Sequence, residues 1–272
     1  MSPTMVGVRP QTAIGPGWSR LGPDQRRSGL HYGVHPNDAM KGSGREAEKP
    51  AALPALLLVL TITTGLIDAV SVLGLGRVFT ANMTGNIVFL GFALAGVPGY
   101  SARRSLAALA AFLVAAVIGG GLATRLGASP RRWLLTVAFV ESDVLFAAAL
   151  AASGYDRETL APVARLYTLI VLTAVAMGIR NATARRLAVP DLTTTVLTLT
   201  LTGLGADSRL AGGNNPRWAR RVASVGAMLG GAAVGAMLVL SVGLVWPLAL
   251  IGAITLLATL GYVVLGNPGE GP

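Results

Sequence analysis

The sequence contains no cysteine, and both of its histidines, His31 and His35, lie within the first 50 residues. The absence of cysteine excludes disulfides, thiolate nucleophiles, iron–sulfur clusters and thiolate-bound zinc. Histidine is the commonest general base and metal ligand, so its absence after His35 removes most familiar enzyme chemistry from the rest of the chain. We therefore predict that the protein is not an enzyme and has neither a metal centre nor an organic cofactor.

Charged residues are scarce, at 12% of the chain, against roughly 25% in soluble domains. Apolar residues make up 53%. This balance is typical of a chain whose solvent is a lipid bilayer. The net charge of +10 does not indicate nucleic acid, because the arginines stand in short clusters between apolar runs, as loop charges of membrane proteins do. The predicted partner is the bilayer, with no nucleic acid.

Residues 1–50 are rich in Gly, Pro, Arg and Ser and show no apolar periodicity. Such a segment buries too little apolar surface to offset its ordering entropy, so we predict a disordered N-terminal extension. Residues 267–272 are predicted to be disordered as well. The extension lacks the apolar core of a signal peptide, and Met40 stands shortly before the first hydrophobic run. Met1 and Met40 are therefore both candidate starts of translation.

From residue 53 onward, apolar runs alternate with short breaks of Arg, Gly and Pro. A helix needs roughly 20 residues to cross the hydrocarbon layer. Six runs have that length, and two more are shorter and richer in polar residues. We predict an all-α integral membrane protein with six transmembrane helices and two short half-helices. The long runs are 53–76, 105–126, 133–153, 162–184, 222–241 and 242–266, and the short runs are 80–97 and 192–204.

The two halves of the membrane part have the same order of elements. The first half has a long helix containing residues 65–69 (GLIDA), a short helix that begins with polar residues, an arginine pair and two long helices. The second half repeats this order from residues 178–182 (GIRNA). We predict two membrane repeats, residues 51–158 and 159–266. Many transporters are built from such repeats and bind their solute where broken or short helices meet near the midplane.

The topology depends on whether the short helices cross. If they do not, each half has three spans and the repeats are inverted; if they do, each half has four and the repeats are parallel. Six spans place most arginines on one side, whereas eight divide them almost evenly, so the positive-inside rule favours an inverted 3+3 arrangement. Both schemes place the two termini in the cytoplasm. For six spans the cytoplasmic arginines are Arg125, Arg131, Arg132, Arg180, Arg185, Arg186, Arg209, Arg217, Arg220 and Arg221, and the external ones are Arg77, Arg103, Arg104, Arg157 and Arg165.

Ionisable residues within spans are costly and usually face a protein interior or a water-filled path. On the first helix, Asp68 shares one polar stripe with Thr61, Thr64 and Ser71. Arg180 lies beside the position that corresponds to Asp68 in the second repeat, so an Asp68–Arg180 ion pair is one prediction. Asp68 is then either a proton or cation site or part of a structural ion pair. Glu141 and Asp143 are two residues apart, so at most one of them faces a given cavity.

The start of the first short helix is polar nearly all round. Asn82 and Asn86 lie on one face, and Thr80 and Thr84 lie on another. Free amides at a helix N-terminus favour anions, so these side chains are candidate solute contacts. The alternative is that they hydrogen-bond neighbouring helices as packing contacts. The corresponding candidates in the second half are Asn181, Thr194, Thr195 and Thr198, with Pro190 and Asp191 as helix-start signals.

Two groups of glycines have the small-residue spacing that lets helices approach closely. We predict that they form packing faces. They are Gly119, Gly120 and Gly121, and Gly226, Gly230, Gly231 and Gly235.

The runs 65–70 (GLIDAV), 80–86 (TANMTGN) and 177–182 (MGIRNA) resemble the YoaK-like family of bacterial multi-pass membrane proteins of unknown function. The resemblance covers about residues 53–266, and the run NMTGN is distinctive. It implies a bacterial inner-membrane protein and no particular reaction. The long N-terminal extension departs from the usual pattern of that family.

Three classes of function remain open. The first is a transporter or channel for a small polar or anionic solute of unknown identity, proton-coupled through Asp68. The second is a non-transporting scaffold or accessory subunit, in which the polar residues only hold helices together. An intramembrane enzyme is disfavoured, because no nucleophile and base stand at a suitable spacing. The oligomeric state is also open, a homo-oligomer included.

Overall fold

The computed structural model of the chain describes residues 52–189 and 197–265. These residues form eight α-helices, with one 3-10 turn at Arg209–Ala211 and no β-strand among them. The predicted disordered termini, Thr194, Thr195, Pro190 and Asp191 lie outside the described residues.

Six of the helices are long and apolar enough to cross a bilayer. Their bounds lie close to the six predicted runs, so the prediction of an all-α protein with six transmembrane helices is confirmed. Local signals set several of the starts: Pro130 occupies the first turn of its helix, and the Ser101 side chain accepts a hydrogen bond from the Arg104 amide, as a helix cap does. The long helices are α1 (Ala52–Gly74), α3 (Ala102–Leu126), α4 (Pro130–Ala151), α5 (Val163–Leu187), α7 (Trp218–Val242) and α8 (Val245–Leu265).

The two short helices are α2 (Met83–Leu94) and α6 (Leu197–Ala206). At about 1.5 Å per residue, neither is long enough for a hydrocarbon layer about 30 Å thick. Their positions correspond to the two predicted half-helices.

The six spans run alternately up and down the bundle. At one end, Leu53 at the start of α1 packs in a cluster with Leu187 at the end of α5 and Tyr262 near the end of α8. At the other end, the Tyr155 hydroxyl after α4 donates to the Gly74 carbonyl that ends α1. We call these the Leu53 end and the Gly74 end. Because α1 ends and α3 begins at the Gly74 end, α2 does not cross the bundle.

The helices differ in how much of their surface is enclosed. Helices α1 and α5 are the most buried spans, and α3 and α7 are the least buried. Large apolar side chains such as Leu113 and Val117 on α3, and Met237 and Leu240 on α7, are exposed. Hydrocarbon solvates such side chains, so these faces are the lipid-facing surface of the bundle.

Close helix approach depends on particular glycines. Gly65 of α1 lies against the backbone of α7 at Met228 and Ala232, and a Cβ atom at Gly65 has no space there. Gly178 of α5 lies in the same way against the backbone of α3 at Phe112 and Ala116. These contacts fix two tight helix pairs, α1 with α7 and α5 with α3.

The predicted glycine faces are confirmed only in part. Gly119, Gly231 and Gly235 are buried against a neighbouring helix. The other four are exposed and have no atom within 4 Å of the place a Cβ would take, because they lie on the outer side of their helices. Those four are Gly120, Gly121, Gly226 and Gly230. The repeat and its bounds at 51–158 and 159–266 stay predictions.

Candidate functional site

Arg180 lies within the bundle, on the face of α5 that packs against α1, α4 and α8, and only 2% of its surface is exposed. Its Nη1 donates to Thr63 Oγ1 at 2.8 Å and to Thr64 Oγ1 at 3.3 Å. Its Nη2 donates to Thr255 Oγ1 at 2.7 Å. Hydroxyl oxygens from two other spans therefore surround the guanidinium.

The ionic partner of Arg180 is Glu141 of α4. The guanidinium Nε donates to Glu141 Oε1 at 2.7 Å, and Nη2 contacts the same oxygen. Both side chains are almost fully buried. Glu141, the threonine hydroxyls and the Leu60 carbonyl together supply acceptors for all five guanidinium N–H groups. A buried charge is tolerated when it is paired and hydrogen-bonded in this way.

The predicted ion pair between Asp68 and Arg180 is wrong. Arg180 contacts α1 at Thr63 and Thr64, and Asp68 follows Thr64 by one helical turn toward the Gly74 end. The carboxylate that meets Arg180 comes from α4 instead. Asp143, two residues after Glu141, is exposed, so only one of these two acids faces the interior, as their spacing predicts.

A small cavity lies beside the ion pair, toward the Leu53 end. Its volume is about 20 Å³, and both Arg180 and Glu141 line it. Its walls are apolar side chains from α1, α4 and α5 together with hydroxyls from α5 and α8, among them Thr183 and Thr259. A space of this size holds a water molecule or two but no organic solute.

Asp68 forms a separate site nearer the Gly74 end. The side chain is 7% exposed, and its Oδ1 atom has no hydrogen-bond partner in the part of the chain that the structure describes. The backbone amide of Ala81, in the segment that leads into α2, lies close to the carboxylate. The structure therefore joins Asp68 to the predicted polar segment and separates it from Arg180.

The polar side chains at the start of α2 have different environments. Thr80 is fully buried, and its Oγ1 has no partner among the described residues. Asn86 is also buried, but its amide accepts from the Phe79 amide at 2.9 Å and donates to the Phe79 carbonyl. Asn82 is half-buried without a capping hydrogen bond, and Thr84 is exposed. Asn86 therefore fixes the backbone at Phe79, and Thr80 is a buried polar side chain whose hydroxyl has no partner among the described residues.

The candidates in the second half are less concentrated. Asn181 is half-buried and donates to the Met177 carbonyl one turn earlier at 2.8 Å. Thr198 is exposed on α6. Thr194 and Thr195 lie outside the described residues, so of the second-half candidates only Arg180 is placed at a buried polar centre.

Sequence reasoning missed several residues of the Arg180 site. Glu141 was singled out as a span acid but not as the partner of Arg180. Thr63 lies outside the predicted stripe of α1, and Thr255 of α8 stands in a run whose other polar side chains are Thr259 and Tyr262. Helical spacing shows which side chains share a face of one helix, but not which face of another helix they meet.

The described residues contain no group of three or more His, Cys, Asp or Glu side chains that could hold a metal ion together. Neither polar centre therefore offers the several carboxylates or imidazoles that bind a tightly held divalent metal.

These features define a multi-pass α-helical membrane protein with a paired arginine and carboxylate inside its bundle and a second carboxylate nearer one end. Residues 56–261 match the family described as "Protein of unknown function (DUF1275)", and the chain belongs to that family. This agrees with the resemblance to YoaK-like proteins.

One relative is the UPF0700 transmembrane protein YoaK of Bacillus subtilis (strain 168). It is 36% identical over 155 residues, which cover 56% of this chain and 65% of that protein. The match therefore spans less than two thirds of the relative's length. No solved structure matches the chain.

Proposed function

We propose that this protein is an inner-membrane transporter or channel for a small polar or anionic solute, with the Arg180–Glu141 pair as its central site. The observation that carries the proposal is a series of buried polar groups along the bundle. From the cavity it runs through the ion pair and the hydroxyls of Thr63 and Thr64 to Asp68. Polar groups that bilayer hydrocarbon cannot solvate are costly, and they mark solute and ion pathways in membrane proteins.

The guanidinium is the group that would bind an anionic solute. A planar guanidinium matches a carboxylate or phosphate with parallel hydrogen bonds. In the structure that position is taken by Glu141. A solute anion would replace the Glu141 carboxylate at Arg180, and neutralisation of Glu141 by a proton would favour the exchange.

The two halves would provide alternating access as inverted repeats. Gly65 and Gly178 occupy corresponding positions of the predicted repeat, and each lies against the backbone of a span from the other half. The contact on α3, at Phe112, lies eight residues after Arg104, and the contact on α7, at Met228, lies seven residues after Arg221, so the two contacts fall at similar places after the matched arginine pairs. The corresponding helices of the two halves run in opposite directions across the bundle, and they make similar contacts. This arrangement supports a pseudo-twofold axis in the membrane plane, as in inverted-repeat transporters.

The arginines support an orientation with the Leu53 end, and thus both termini, in the cytoplasm. Most of the arginines outside the hydrocarbon lie next to helix ends at the Leu53 end, where loops retained in the cytoplasm carry excess positive charge. The cavity beside Arg180 would then face the cytoplasm. Those arginines are Arg125, Arg131, Arg132, Arg185, Arg186, Arg209, Arg217, Arg220 and Arg221.

Transport is tested with purified protein in liposomes and a panel of small radiolabelled anions: inorganic phosphate, nitrate, acetate and lactate. We expect uptake of at least one anion, faster with an inward proton gradient. Uptake should be lost in Arg180→Gln and keep its usual rate in Arg185→Gln, which removes an exposed arginine from the same helix. Size-exclusion profiles verify that both variants remain folded.

A non-transporting scaffold or accessory subunit is the second candidate. The full hydrogen bonding of Arg180 favours it, because a guanidinium with acceptors for all five N–H groups also suits a purely structural role. The absence of anion uptake by folded wild-type protein, together with copurification of one stoichiometric partner, would select this candidate over transport.

A further inference from the structure

Two buried oxygen atoms, one on α1 and one on the segment that leads into α2, have no hydrogen-bond partner among the described residues. They are Asp68 Oδ1 and Thr80 Oγ1, and each atom is fully shielded from solvent. The amide of Ala81, the residue after Thr80, lies close to the Asp68 carboxylate, and Ala81 belongs to the same buried cluster as Ile67, so both oxygens lie in one region of the bundle. Buried polar atoms without partners are rare in folded proteins and each calls for a physical explanation.

The charges around Asp68 are unbalanced. Arg180 and Glu141 neutralise each other, and Arg221 pairs with Asp207 at the Leu53 end. Among the described residues no cationic side chain forms an ion pair with Asp68. An isolated carboxylate inside a membrane protein is highly unfavourable unless something neutralises it.

We propose that Asp68 and Thr80 form a binding site for a monovalent metal cation such as sodium. A proton would neutralise Asp68, but Asp68 Oδ1 and Thr80 Oγ1 do not hydrogen-bond each other, so the Thr80 hydroxyl oxygen would still lack a partner. A metal cation can be bound by both oxygens at once, since hard cations take carboxylate, hydroxyl, carbonyl and water oxygens. The single carboxylate favours a monovalent ion over a divalent one.

The backbone around the site suits such an ion. Helix α1 ends at Gly74 and α2 starts at Met83, so the segment between them is not α-helical. Transporters coordinate sodium with the carbonyl oxygens of unwound backbone segments. Asn86 bonds both backbone groups of Phe79 and so fixes the residue next to Thr80. The site is therefore held in place before an ion binds.

This inference deepens the proposed function, because it names the ion that would be coupled at Asp68. The cation site lies toward the Gly74 end of the ion pair, and Thr64 of α1 lies between the two sites, bonded to Arg180 and one turn from Asp68. Cation binding is a property of the purified chain and needs no transported solute for its measurement.

The test measures the thermal unfolding midpoint of the full-length protein in detergent at constant ionic strength. Choline chloride is replaced stepwise by sodium chloride or potassium chloride, at several fixed pH values. We expect sodium, potassium or both to raise Tm by roughly 2–8 °C in a saturable manner, because a ligand that binds only the folded state stabilises it. The rise should be absent in Asp68→Asn.

Thr80 variants keep the test decisive if Asp68→Asn fails to fold. Thr80→Val should abolish or strongly weaken the cation response without lowering Tm in choline, because the removed hydroxyl oxygen has no partner. Thr80→Ser retains the hydroxyl and should retain the response. Thr168→Val, which removes an exposed hydroxyl bonded only within its own helix, is the matched control and should respond like wild type.

Two outcomes overturn the proposal. One is a Tm that is identical in choline, sodium and potassium at every pH; a pH dependence of this Tm that Asp68→Asn removes would identify Asp68 as a proton site. The other is a cation response that Thr80→Val leaves intact. Either result leaves the proposed transport untouched, because anion uptake is measured separately through Arg180→Gln.

Discussion

The Nε and Nη2 atoms of Arg180 both contact the same carboxylate oxygen of Glu141, Oε1. A fork-to-fork pair would use both oxygens of the carboxylate. Here Oε2 receives no hydrogen bond from the described residues, and Glu141 lines the cavity. Glu141 therefore combines an ionic contact on one oxygen with a second oxygen left for a proton or a donor group.

The first prediction concerns the stability of this pair. Glu141→Ala leaves a buried, unpaired guanidinium, so we expect the free energy of unfolding to fall by about 3–5 kcal/mol. Thermal unfolding in detergent measures the change. Asp143→Asn alters an exposed acid two residues later on the same helix and should leave Tm almost unchanged.

A double variant tests whether the two charges act as a pair. Glu141→Ala combined with Arg180→Met should lose less stability than the sum of the single changes, since no unpaired buried charge remains. Additive losses, or an equal loss from Asp143→Asn, would contradict the assignment of Glu141 as the partner.

The membrane fold could be predicted from the sequence because hydrocarbon imposes a simple length rule. Runs of about 20 apolar residues bounded by Arg, Gly and Pro can satisfy their backbone groups only as helices. The arginine distribution then favoured an arrangement in which the short run at 80–97 does not cross. The pattern of apolar residues does not determine the rotation of each span about its own axis. An apolar side chain can face either lipid or a neighbouring helix.

The second prediction concerns the tight helix pairs. Gly178→Ala places a Cβ atom 2.5 Å from the Phe112 carbonyl oxygen and 2.8 Å from the Ala115 Cβ, so α5 and α3 must move apart. We expect a loss of about 1–3 kcal/mol of stability, seen as a lower Tm. Gly65→Ala should behave alike, because it meets the α7 backbone at Met228.

Gly120→Ala is the control for these changes. No atom lies within 4 Å of its new Cβ, and alanine is the better helix former by roughly 1 kcal/mol. Tm should therefore stay constant or rise slightly. A drop equal to that of Gly178→Ala would show that helix glycines matter here for a reason other than close approach.

The third prediction separates the two asparagines of the distinctive NMTGN run. Asn86→Ala removes the hydrogen bonds to both backbone groups of Phe79, and buried groups left without partners cost about 1–3 kcal/mol. Asn82→Ala changes a half-buried side chain with no capping hydrogen bond and should cost little stability. Tm of the two variants measures the difference.

Asn82 remains a candidate solute contact, so its variant has a second readout. If Asn82 contacts the transported anion, Asn82→Ala should reduce uptake in liposomes while leaving Tm near that of wild type. Unchanged uptake would remove Asn82 from the candidate site.

The fourth prediction concerns alkaline pH. Burial raises the pKa of Tyr155 to about 12, with Arg104 lowering it and Asp156 raising it, from an ordinary value near 10. The Tyr155 hydroxyl donates to the Gly74 carbonyl at 2.9 Å, and it can donate only while protonated. Its contribution to stability is therefore fully present below about pH 10 and is lost as pH rises through about 12.

Tyr155→Phe isolates that contribution. The variant should have a lower Tm at neutral pH, because a net hydrogen bond of about 0.5–1.5 kcal/mol is lost. The gap between wild type and variant should close between pH 10 and 12. A gap that stays constant across this range would mean that the hydroxyl does not support the end of α1.

The candidate site was harder to predict than the fold. Asp68 and the segment from Thr80 to Asn86 are separated only by the end of α1 and one short non-helical stretch. This short connection keeps them close in space. Arg180 and Glu141 lie on different spans, and the choice between Asp68 and Glu141 as the partner of Arg180 depended on helix rotation. That rotation is set by contacts such as Gly178 against Phe112, which periodicity within one helix does not reveal.

The buried ion pair also has a consequence for how the chain enters the membrane during synthesis. Helix α5 is the least apolar of the six spans, and an arginine within a lone helix costs up to about 2.5–3.5 kcal/mol to insert, the value at the helix centre. Glu141 precedes Arg180 in the chain, so its carboxylate is already available when α5 leaves the ribosome. Entry of α4 and α5 as a hairpin is therefore favoured, and cells that make Glu141→Ala should degrade the chain at an early stage of biogenesis.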